Sequence, residues 1–147
     1  MIKYMIHACK QRMKYVEDYL VPSLTGQGLP EDSIKVWEDK GEDGNLKSFL
    51  KSMTWIRDNE KVGDSIWHLQ DDVIVSRDFA EVTGRDYDGV VCGFSNPKCD
   101  IYPLGGVVST RLMWFSMQCM RIPNRLAGRF LRWFRDEARY RATYADK

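Results

Sequence analysis

The stretch SIWHLQDDVIVSRDF, residues 65–79, decides how the chain is read. Ile66 to Leu69 form an apolar, strand-like run. It meets two adjacent carboxylates, Asp71 and Asp72, and a second apolar run, Val73 to Val75, follows at once. Carboxylates are seldom buried unless paired, hydrogen-bonded or bound to a cation. Side by side they repel unless a positive charge sits between or beside them. A hard divalent ion with oxygen ligands, Mg2+ or Mn2+, supplies that charge, keeps several waters and recruits substrate phosphates. A strand-end turn with solvated aspartates is the other reading of the dipeptide.

Upstream, IKYMIHAC (2–9) reads as a strand, with Ile2, Tyr4 and Ile6 on one face. KQRMKYVEDYL (10–20) reads as a helix that Pro22 ends or kinks. Residues 23–33 are turn-rich, and 33–40 form a short second strand followed by the turn GEDG. In 45–59, Leu46, Phe49, Leu50, Met53 and Ile56 keep helical spacing. SIWHLQ is the third strand, and VIV is expected to continue it past the acidic pair. Residues 76–84 predict a short helix, with Ser76 as N-cap and Gly84 as its stop. DGVVCGFS (88–95) is a fourth strand.

This alternation predicts an α/β domain with a mostly parallel central sheet flanked by helices. Ligands of such sheets sit outside the carboxyl ends of the strands. Charged clusters fall at three of those ends: HACKQR, EDKGEDGN and QDD. One site can gather all three. Further on, 96–106 reads as a loop and 107–122 as one or two strands. Residues 123–144 predict a long C-terminal amphipathic helix. Leu126, Ala127, Phe130, Phe134 and Ala138 share one face of it, and Arg125, Arg129, Arg132 and Arg139 the other.

With 147 residues, 44% hydrophobic and 29% charged, the chain suits one domain with its own core. No apolar run approaches the roughly 20 residues of a membrane span. The charged N-terminus does not resemble a signal peptide, so a cytoplasmic protein is expected. Cys9, Cys92, Cys99 and Cys119 form no C-x-x-C pair, and only His7 and His68 could join them, which argues against structural zinc. Residues 1–110 hold 13 basic and 18 acidic side chains, whereas 111–147 hold 9 and 3. An acidic body with a basic end fits a cation-binding region facing an anion-binding one, or a solvated helix face.

Two further clusters carry candidate chemistry. Glu38 and Asp39 close the second strand, where a carboxylate can accept from a ribose hydroxyl or a base N–H. Lys10, Arg12 and Lys14 follow the first strand, where a diphosphate could lie. No G-x-G-x-x-G follows that strand, and no G-x-x-x-x-G-K-[ST] occurs, so dinucleotide and P-loop sites are not supported.

The order of these elements, ending in LQDDVIVSRDF, resembles the nucleotide-sugar-binding half of a GT-A glycosyltransferase. It is similar to the group whose metal motif reads L-E-D-D before an apolar stretch and a D-F pair, as in lipooligosaccharide and procollagen galactosyltransferase-like families. Small phage and prophage glycosyltransferase-like proteins are similar too, with a segment like WFSMQCMRIPNRLAGRFLRWF downstream. The resemblance covers residues 2–95, leaving 96–147 as a short acceptor-side segment and the last helix.

It implies a metal-dependent transferase that moves a sugar from a UDP- or GDP-sugar to an unknown acceptor. Asp72 would ligate Mn2+ or Mg2+, and Asp71 would join it or hold the sugar, the ribose or a water. Glu38 or Asp39 would read the nucleoside. His7, Ala8 and Lys10, with Arg12, would line the base and diphosphate. Gln70 stands where the group carries an acidic residue. The catalytic base of an inverting enzyme would come from the acceptor half, where Asp100 is the candidate.

Two other classes compete. A metal-dependent nuclease or phosphotransferase would cluster Asp39, Asp71 and Asp72 and grip nucleic acid through the arginine helix. The chain shows no stacking platform beside those arginines, so nucleic acid is not the expected partner. A non-catalytic interaction protein would use the arginine stripe and exposed Trp114, Phe115, Trp133 and Phe134 as anchors. A homodimer could cover the last helix.

Overall fold

The computed structural model describes residues 1–41, 44–59, 61–87, 90–94, 106–110 and 119–144. Strand β1 (Ile2–Cys9) runs into a continuous helical stretch. That stretch starts as a 3-10 turn (Lys10–Arg12), becomes α1 (Met13–Tyr15), widens to a π-helical turn (Val16–Leu20) and ends as α2 (Val21–Thr25). Pro22 therefore neither ends the helix nor breaks it. A proline ring presses on the carbonyl four residues back, here that of Asp18, and the widened π turn makes room there.

Strand β2 (Ile34–Asp39) follows, then α3 (Gly44–Asp58) and β3 (Val62–Gln70). Gly41 turns the chain out of β2 with φ of 81°, in the left-handed region, and its N–H donates to Asp39 Oδ1 at 2.9 Å. After β3 come α4 (Phe79–Gly84), β4 (Val90–Phe94), β5 (Gly106–Thr110), β6 (Cys119–Pro123) and α5 (Asn124–Tyr144).

The strands form one sheet in the order β2-β1-β3-β6-β4-β5. β1 pairs in parallel with both β2 and β3. β6 is antiparallel to β3 and to β4, and β4 is antiparallel to β5. The fold is thus α/β, but its sheet is mixed rather than mostly parallel. Parallel neighbours need a crossover of a dozen or more residues, which the helical connections supply between β1, β2 and β3. β4 and β5 pair antiparallel, from Val90 opposite Thr110 to Phe94 opposite Gly106.

Alternation along β1 and β3 sends side chains to two cores. Tyr4, Ile6, Ala8, Trp67 and Leu69 pack with Val16, Leu20 and Leu24 on one face of the sheet. Met5, Ile66, Met120 and Ile122 pack with Phe49, Met53 and Ile56 of α3 and Ala127 of α5 on the other. β3 is paired on both edges, and Ile66, Trp67, His68 and Leu69 are all buried, as expected of a strand covered on both faces.

β3 stops at Gln70 and does not continue through VIV. Asp71 and Asp72 form a turn, and residues 73–76 have no regular structure. Val73 and Val75 still pack on the first core, while Ile74 is 91% exposed. Asp78, not Ser76, precedes α4, and it makes no side-chain capping bond. In α5, Ala127 is buried and Leu126, Phe130 and Phe134 are half-buried, with Arg125, Arg129 and Arg132 exposed. No described helix is long and apolar enough to cross a membrane.

Candidate functional site at the carboxyl ends of β1, β2 and β3

The chain leaves β1 toward β2 on one side and later returns to place β3 on the other. This is a topological switch point, and ligands of open α/β sheets bind in the crevice beside it. The parallel register fixes what meets there. Cys9 lies opposite Asp39, Ala8 opposite Glu38, and His7 opposite Gln70. The acidic pair one step beyond Gln70 therefore arrives beside the last residues of β1.

Asp71 is buried and its carboxylate is engaged on both oxygens. The Cys9 backbone N–H donates to Oδ2 at 2.8 Å, and Arg12 Nη1 donates to Oδ1 at 2.9 Å. The same Nη1 lies 3.1 Å from Asp72 Oδ2. The side chains of Arg12 and Asp72 are about half exposed. The hydrogen bonds that Arg12 donates to Asp71 and then to Asp72 push its pKa further up. The positive charge that the two aspartates require is thus a guanidinium from the turn after β1.

His7 points to the α3 side, buried, with Nε2 at 2.9 Å from Ser48 Oγ and its ring 5.7 Å from that of His68. Burial lowers its pKa, and the charges of Asp39 and Asp71 partly oppose that. Ala8, expected to line a ligand, is fully buried in the first core. Lys10 and Glu38 are exposed and Asp39 is half-buried at the rim. Asp100, Trp114 and Phe115 lie outside the described residues. Trp133 is 59% exposed, and Phe134 is half-buried.

The segment after the acidic pair is held from two sides. Gln27 Nε2 donates to the Ser76 carbonyl at 2.8 Å, and Gln27 Oε1 accepts from the Ala80 N–H at 3.0 Å. Thr83 in α4 binds the Tyr4 hydroxyl at 2.9 Å, and its carbonyl accepts from Trp67 Nε1 at 3.1 Å. The turn that carries Asp71 and Asp72 is therefore anchored before and after.

Does this donor set fit Mn2+ or Mg2+? Among the described residues, no three His, Cys, Asp or Glu side chains come together to hold a metal ion. Asp39, Asp71 and Asp72 thus do not form the carboxylate cluster that a two-metal nuclease would use. Asp71 already accepts from two donors, and Arg12 stands against Asp72 where an ion would bind. The residues present do not fit a resident divalent ion.

Ser48, the Cys9 N–H and the link from Arg12 to the aspartates were not foreseen from sequence. The sequence places Arg12 where a diphosphate could lie; its position three residues after β1, with β3 as a parallel neighbour, is the signal that also brings it to the Asp71–Asp72 turn. No protein-family model matches the chain, and no curated protein is significantly similar to it.

Proposed function

We propose that the chain is a glycosyltransferase or its donor-binding core, taking a nucleotide-diphosphate sugar at the β1/β3 switch point. One observation carries this reading: the end of β1, the Glu38–Asp39 end of β2 and the Asp71–Asp72 turn meet at that edge of the sheet. Carboxylates at the end of β2 suit the hydroxyls of a ribose. Exposed Lys10 and Arg12 at the mouth suit a diphosphate. The acceptor and its base, for which Asp100 is the candidate, belong to the same proposal.

Thermal melting with UDP, GDP and other nucleoside diphosphates tests it, each both in EDTA and with Mn2+. A ligand at 100 times its Kd adds about 2.7 kcal/mol of stability. The reading holds if one nucleotide raises the melting temperature in either condition and Asp39→Asn or Lys10→Ala weakens that rise. It fails if none does so in either.

A further inference from the structure

The acidic pair and Arg12 do more than neutralise one another. A guanidinium presents its N–H donors in a planar fork. Only Nη1 is committed to Asp71 and Asp72. Among the described residues, Nε and Nη2 have no hydrogen-bond partner, and the side chain is half exposed. Two carboxylates on one nitrogen fix the plane of the fork and turn its other edge away from them. Asp71 is itself held by the Cys9 N–H, so the anchor is not free to swing. This is how an arginine is made ready for a bidentate anion. Lys10, two residues earlier on the same 3-10 turn, is exposed as well.

We infer that Arg12 takes the place of the divalent ion: it is the resident cation of Asp71 and Asp72, and its outer edge binds the phosphates of an anionic ligand without metal. Asp71 and Asp72 are then positioning residues, which aim the guanidinium rather than ligate an ion. The inference rests on the donor-binding reading only for the nucleoside part of the ligand. The phosphate-binding edge stands on the geometry of Arg12 alone.

The test uses the full chain, with Mn2+ and inorganic pyrophosphate as probes. Melting of the wild type is expected to be the same in EDTA and in millimolar Mn2+. Pyrophosphate in EDTA is expected to raise it. Arg12→Lys keeps a charge on the aspartates but loses the fork. It should melt close to wild type and bind pyrophosphate at least about tenfold more weakly. Arg12→Gln leaves the acidic pair without its cation. It should be less stable than wild type in EDTA and regain stability with Mn2+.

Three results would overturn the inference. One is Mn2+ stabilising the wild type through Asp72, with Asp72→Asn abolishing the effect. Another is pyrophosphate acting only when Mn2+ is present, or not at all. The third is Arg12→Lys binding pyrophosphate as the wild type does. If UDP or GDP binds only with Mn2+, this inference falls and the donor reading stands. If pyrophosphate raises the melting temperature in EDTA and no nucleoside diphosphate does so in either condition, the inference stands and the donor reading falls.

Discussion

His7 is under opposing demands. Burial disfavours its charged form, while Asp39 and Asp71 favour it, and burial wins, so the folded pKa lies below the ordinary value. In the unfolded chain its imidazole titrates at about 6.5. Below that pH the unfolded state holds the extra proton, so the contribution of His7 is complete above about pH 6.5 and is lost as the pH falls through it. Urea midpoints should therefore drop on acidification, and His7→Gln should flatten that dependence. An unchanged slope would place the acid sensitivity elsewhere. The two aspartates should also separate. Asp71→Ala removes a buried carboxylate bonded to a backbone N–H and a guanidinium, and should cost about 2–3 kcal/mol in urea unfolding. Asp72→Ala breaks a half-exposed pair and should cost under about 1 kcal/mol.

Among the elements, β3 and the segment after it show how far local pattern reaches. Val73, Ile74 and Val75 do alternate, with the two valines on the core and Ile74 outside. The period of two was real, but no neighbouring strand supplies a ladder past Gln70, because the chain turns at Asp71 to meet Cys9 and Arg12. Side-chain alternation is local, whereas a strand also needs a partner. Pro22, expected to end or kink the helix, does not end it, because a π-helical turn just before it lets the helix run on through Thr25. A pair of substitutions measures the difference between apolar residues in and out of the core. Leu69→Ala, fully buried in β3, should cost about 2–5 kcal/mol. Ile74→Ser, five residues on, should stay within about 0.5 kcal/mol. Comparable losses at the two positions would mean that Ile74 is covered in solution.

For the whole molecule, alternating strands and helices made the α/β class and the parallel pairing among β1, β2 and β3 legible, and with it the gathering of charged clusters at their carboxyl ends; the order β2-β1-β3 comes from the structure. The place of β6 between β3 and β4 was not legible, because it joins strands far apart in the chain and no local period records such pairing. Arg12 on the aspartates was hidden for a similar reason: its partners follow a different strand. The sheet's two faces carry separate apolar clusters, one over α1 and α2 and one over α3 and α5. Because β1 and β3 contribute to both, the two layers should unfold as one unit. Ile6→Val lies in the first cluster and Ile56→Val in the second, both fully buried. Each should cost about 0.5–1.5 kcal/mol, and, being on opposite sides of the sheet, they should add within about 0.5 kcal/mol in the double variant. Urea unfolding followed by far-UV circular dichroism and by tryptophan fluorescence checks this. One coincident transition that shifts by the sum supports a single cooperative core. Two transitions, each moved by only one substitution, would show that the sheet does not bind its two faces into one folding unit.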